Sequence, residues 1–141
     1  MHEFPLDYKN VLIVDDDPGI LLVLAHELNK KNANIITAAN GLEALEKLNE
    51  MEHIDIVLMD IMMPKMNGYE AMAEIRKQKK FKSLPVIALT AKTAVGEQER
   101  CLAMGASDYL TKPINKTELV VVMQRWLAWD FPVFAPIYRS A

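Results

Sequence analysis

The feature that most constrains this 141-residue chain is a regular alternation of short apolar runs with segments of helical periodicity. The runs fall at 11–14, 34–38, 54–59, 85–89 and 107–110; the helix-period segments fall at 18–31, 41–51, 68–79, 95–104 and 116–129. Strands separated by helices pair in parallel, because each crossover helix carries the chain back before the next strand begins. The first and third runs lack inward/outward alternation, as strands covered on both faces do. Pro18 near a helix start and Gly105 after a helix end are the matching punctuation. The expected fold is α/β, a doubly wound five-stranded parallel sheet in three α/β/α layers. One domain fills 9–129, with an N-terminal extension at 1–8 and an aromatic tail at 130–141.

The composition, 51% hydrophobic and 25% charged, suits a globular domain that buries a core without staples. A net charge of -3 with no Lys/Arg block argues against direct nucleic-acid binding. The longest apolar run, 20–25, is far too short to span a bilayer, and the first residues show no basic-then-apolar signal pattern. A single Cys101 excludes an internal disulfide, and with no Cys/His cluster a reduced, cytoplasmic protein is expected. His2, His26 and His53 lack ligand spacing, the nine methionines read as core filling, and no Gly-rich nucleotide loop occurs.

The chemistry gathers at the carboxyl ends of the runs, where open α/β sheets place their sites. Asp15, Asp16 and Asp17 follow the first run, and Asp60 follows the third, ahead of a Pro64 and Gly68 that force a loop. If strands one and three are neighbours, these carboxylates meet at one edge and repel unless a cation neutralises them. Oxygen ligands without His or Cys point to a hard ion such as Mg²⁺. Asp17, before Pro18, also fits a helix cap. The fourth run ends in Thr90 and the fifth is followed by Thr111, Lys112 and Pro113. A hydroxyl and an ammonium beside a carboxylate cluster are what phosphoryl transfer needs, and Asp60 is a residue type that accepts a phosphoryl group as an acyl phosphate.

The stretches 11–18, 58–68, 87–91 and 105–113 together resemble the receiver (phosphoacceptor) domains of two-component response regulators, over about 9–128. The resemblance implies a flavodoxin-like sheet of order 2-1-3-4-5, an arrangement for which a receiver is itself a standard example. It implies that Asp60 is the phosphoacceptor, taking its phosphoryl group from a histidine kinase or histidine phosphotransfer domain. Asp16 would bind Mg²⁺ directly and Asp15 through water, with Asp60 and the Met62 backbone carbonyl completing the set; Mn²⁺ is the alternative ion. Thr90 and Lys112 would hold phosphoryl oxygens, and Tyr109 would be the aromatic switch that moves with Thr90, the alternative being an ordinary strand aromatic half in the core. Lys112-Pro113 resembles the family's cis peptide. Such a domain catalyses only its own phosphorylation and dephosphorylation, and changes partner binding.

The positions that tune phosphoryl lifetime in this family are here Met62 and Lys92, neither able to orient an attacking water; either they shield the acyl phosphate or they are solvated loop residues. On the first helix, Ile20, Val23, Leu24 and Leu28 form the expected inward stripe. That leaves Leu21, Leu22 and Ala25 outward, where family members dock their phosphodonor. Val120 and Val121 on the last helix are expected to face outward, towards a partner, a second copy in a weak homodimer, or the tail with Phe131, Phe134 and Ile137 as anchors. No direct membrane partner is expected. No output domain follows, so a stand-alone receiver or part of a larger protein such as a hybrid histidine kinase is expected. A rival from another class is a haloacid-dehalogenase-like phosphatase with Asp15 as nucleophile of an Asp-x-Asp motif; it leaves Asp60 unexplained and lacks the final acidic pair.

Overall fold

The computed structural model describes residues 6–91 and 95–127. Its elements follow in the order β1 (Asn10–Val14), α1 (Pro18–Asn29), β2 (Asn34–Ala38), α2 (Gly41–Glu50), β3 (Ile56–Asp60), α3 (Gly68–Lys77), β4 (Val86–Thr90), α4 (Glu97–Ala103), β5 (Asp108–Thr111) and α5 (Lys116–Leu127), with a 3₁₀ turn at Lys79–Phe81. The five strands form one parallel sheet in the order β2-β1-β3-β4-β5. Three strands run further than their apolar residues suggested. Asp60 pairs with Leu89 and Thr90 with Thr111, so the ladder continues through the polar residues that end β3, β4 and β5.

Side chains of the central strands alternate between two cores, as the two-residue period of a strand requires. Leu12, Val14, Val57, Met59, Val86 and Ala88 face Leu48 of α2, Met72 and Ile75 of α3, and Cys101 of α4. Val11, Ile13, Ile56, Leu58, Ile87 and Leu89 face Leu24 and Leu28 of α1 and Leu119 and Met123 of α5. β3 and β4 are buried throughout, which is why their sequences read as unbroken apolar runs.

Expectations for two helix faces need correcting. Val23 does not belong to the inward stripe of α1: it is 52% exposed, whereas Leu21 and Ala25 are half-buried against the core. Helix α1 is apolar nearly all round, so composition alone could not fix which side turns inward. Val120 likewise packs against the core and only Val121 faces out. The N-terminal extension enters the domain by Leu6, which is fully buried, and Tyr8 donates its backbone N–H to Asn32. The aromatic tail, Phe131, Phe134 and Ile137 included, lies outside the described residues, as does Lys92.

Helices α1, α2 and α3 begin at side-chain caps. Asp17 accepts from the Gly19 N–H at 2.8 Å, Asn40 caps α2, and Asn67 and Glu70 close a capping box on α3. Gly68 is fixed by space rather than by dihedral. Its N–H donates to the Ile61 carbonyl at 2.8 Å, and a Cβ there would come within 2.3 Å of the Asp60 carbonyl oxygen and 2.8 Å of the Ile61 Cα. Both obstacles are backbone and cannot swing away. Gly68→Ala is expected to lower stability by about 1–3 kcal/mol, the usual scale of overpacking, measured by urea denaturation; wild-type stability would show that α3 can back away from β3.

Candidate functional site

Three polar side chains stand out as buried among the described residues: Asp15, Asp60 and Thr90, each at the carboxyl end of a central strand. Asp15 continues β1, its N–H donating to Ala38, and its Oδ1 accepts from the Asp17 N–H at 2.9 Å. Asp60 lies beside it because β1 and β3 are neighbours. Carboxylate oxygens of Asp15, Asp16 and Asp60 all come within 4.8 Å of one another, with Asp16 exposed at the rim. Lys112 reaches them from the other side: its N–H donates to the Thr90 carbonyl, and its Nζ lies 2.9 Å from both Asp15 Oδ2 and Asp60 Oδ1. The Lys112–Pro113 peptide is cis.

Burial pushes the Asp60 carboxyl above the ordinary carboxylate value; the Lys112 hydrogen bond offsets only part of this, and Asp15 and Asp16 raise it further. Burial alone would depress Lys112, but its hydrogen bonds to Asp60 and Asp15 outweigh that and hold the ammonium above its usual range. The site is therefore poor in positive charge. A donor set of carboxylate oxygens, two of them buried and with no nitrogen or sulfur ligand, fits a hard divalent cation.

Residues 11–124 match the family described as response regulator receiver domain. This chain belongs to that family. Protein PilG of Pseudomonas aeruginosa is 34% identical over 131 residues, with 93% of each chain covered. The alkaline phosphatase synthesis transcriptional regulatory protein PhoP of Bacillus subtilis is 38% identical over 111 residues, which cover 79% of this chain and 45% of that one, so the chain spans less than half of that regulator. Among solved structures, the receiver domain of a sensor histidine kinase from Pseudomonas aeruginosa PAO1 is similar, with a TM-score of 0.79 and 36% identity over 86% of this chain and 98% of that one; it holds a magnesium ion coordinated in its active site cleft. The chain is a receiver domain of two-component signal transduction, related to both response regulators and sensor kinases. The haloacid-dehalogenase-like reading finds no support. Asp17, which would be the second acid of its motif, is an exposed helix cap bound to Gly19.

The structure brings Asp15, Asp16, Asp60 and Lys112 of this receiver together and sets Thr90 on the strand next to Asp60. Met62 is 64% exposed and lines a cleft together with Thr90. Tyr109, on the edge strand β5, is half-buried against the α2–α4 core. Leu22 is 72% exposed on α1, whereas Leu21 is largely turned into the core and is the weaker docking candidate. Two neighbours of the site went unforeseen: Glu97, in the first turn of α4, accepts a hydrogen bond from Thr90 Oγ1 at 3.3 Å and another from the Tyr69 hydroxyl. A lone glutamate opening a short helix reads as solvated, and Tyr69 as core, so neither carried a signal in the sequence.

Because the folded-state pKa of Asp60 lies above the ordinary value of 3.8, its ionisation costs stability, and that cost sets in as pH rises from the ordinary value through the folded one. Asp60→Asn is accordingly expected to melt above wild type at pH 7 without added metal, the gap closing as acid protonates Asp60. A scanning-calorimetry series over pH checks this; a lower melting temperature for the variant at pH 7 would show that the Lys112 contact outweighs the burial and repulsion.

Proposed function

We propose that this receiver domain takes a phosphoryl group from a phosphohistidine, on a histidine kinase or a histidine phosphotransfer domain, onto Asp60. The observation that carries the reading is the Lys112 ammonium held 2.9 Å from Asp60 Oδ1 beside a cluster of three carboxylates. An Asp60 oxygen attacks phosphorus; the P–O bond forms as the P–N bond breaks, and the electron pair leaves on the imidazole nitrogen. Lys112 and the Thr90 hydroxyl donate to phosphoryl oxygens as charge spreads over them. Asp15, Asp16, Asp60 and the Met62 backbone carbonyl hold Mg²⁺, with Mn²⁺ as the alternative. When bound, the ion supplies charge neutralisation on the phosphoryl oxygens. The acyl phosphate adds about -1.5 to -2 charge at a buried edge, and Thr90 and Tyr109 repack in response, shifting the population towards a form that partners read differently.

Acetyl phosphate with Mg²⁺ should place a single phosphoryl group on the wild-type chain and none on Asp60→Asn, read by intact-protein mass spectrometry; labelling of the variant, or steady turnover of a phosphomonoester, would overturn the assignment. With neither Met62 nor Lys92 able to orient a water, the same assay should show the label lost faster in a Met62→Asn, Lys92→Glu variant.

Docking of the donor rests on the exposed Leu22 and Val23 of α1, next to an apolar groove that Ile20, Pro113 and Ile114 help to line beside Lys112. Leu22→Arg is expected to slow transfer from a phosphorylated histidine donor about tenfold, the effect of losing roughly 1.4 kcal/mol at an interface, with labelling by acetyl phosphate retained. Equal loss with both donors would mark damage to the fold instead.

A further inference from the structure

Beside the acceptor, a cleft of about 290 Å³ is lined by Met62, Tyr69, Thr90, Glu97 and Arg100 among others. Glu97 Oε2 is its hub. It accepts from Thr90 Oγ1 at 3.3 Å, from the Tyr69 hydroxyl, and from Cys101 Sγ at 3.9 Å. Tyr69 is buried, and the Arg100 guanidinium sits 4.1 Å from its ring centroid. Burial and the Glu97 carboxylate push the Tyr69 hydroxyl well above the usual phenol range, so it stays a donor that fixes Glu97 in place.

An ionised carboxylate only accepts, so the contact with Thr90 spends the single hydroxyl proton of Thr90 on Glu97. A phosphoryl oxygen on Asp60 needs that same proton. We propose that Glu97 is a positioning residue that holds the Thr90 hydroxyl in a resting state and must release it when the phosphoryl group arrives. The inference rests on Asp60 being the acceptor. It makes the first turn of α4, tethered through Tyr69 to α3, the element whose displacement accompanies activation. The apparent affinity for the phosphoryl group is then lowered by the fraction of molecules in which Thr90 is engaged by Glu97.

The test is titration of the full chain with beryllofluoride, a phosphoryl mimic, in the presence of Mg²⁺, with binding followed by calorimetry and each variant's melting temperature measured alongside. Glu97→Ala should bind about three- to tenfold more tightly than wild type, the net scale of one typical hydrogen bond, and Glu97→Gln, which keeps the shape and an acceptor oxygen, should fall between. In a Thr90→Val background, which lacks the donor, substituting Glu97 should change nothing. Unchanged or weaker binding by Glu97→Gln overturns the proposal, as does tightening that persists without the Thr90 hydroxyl. Weaker binding with lowered melting temperatures in both Glu97 variants would make Glu97 a structural anchor and equally overturns it. Wild-type protein that takes up no beryllofluoride fails the acceptor reading itself and the inference with it, whereas uptake by wild type that is lost in Asp60→Asn, with unaltered Glu97 variants, removes the inference alone.

Discussion

Everything at the active edge depends on the Lys112 ammonium held between Asp15 and Asp60. Two unit charges 4 Å apart interact by about 4 kcal/mol at an effective dielectric of 20, so two buried carboxylates beside a third acidic residue cannot sit together without a cation. Lys112 supplies one positive charge against three carboxylates, and Asp60 remains shifted upward despite it. The site is left short of positive charge, the condition that suits it to a divalent cation. Much of the architecture serves to deliver that one lysine: β5 must pair with β4 for the Lys112 N–H to reach the Thr90 carbonyl, and β1 must pair with β3 for the two carboxylates to be neighbours.

A second set of polar contacts adjoins the site. Thr90, buried at the end of β4, donates to Glu97, and Glu97 is fixed by Tyr69 from α3. The end of β4 and the α3–α4 side of the sheet are thereby linked through one hydroxyl.

The strand ends were legible because their chemistry is local. Asp15, Asp60, Thr90 and Lys112 each follow an apolar run, and a parallel sheet brings the carboxyl ends of its strands to one side whatever the details of packing. The outward face of α1 was not legible: Ile20, Leu21, Leu22, Val23 and Leu24 are all apolar, so periodicity could not choose a face, and packing against the sheet turned Leu21 in and Val23 out. Leu6 was lost for the opposite reason: it stands in a short mixed stretch, between Phe4 and Tyr8, that is too brief to carry a period.

By itself the sequence determined the alternation of strands and helices, the residues at the strand ends and, through its motifs, the family, because each of these is written in residue type and spacing. Only the tertiary structure decided that one ammonium bridges two particular carboxylates, that Leu22 and Val23 rather than Leu21 reach solvent, and that Glu97 meets Thr90 and Tyr69. Those are relations between residues far apart in sequence or on different elements. Hydrogen bonds and burial depend on where packing sets the elements, and no local pattern contains that.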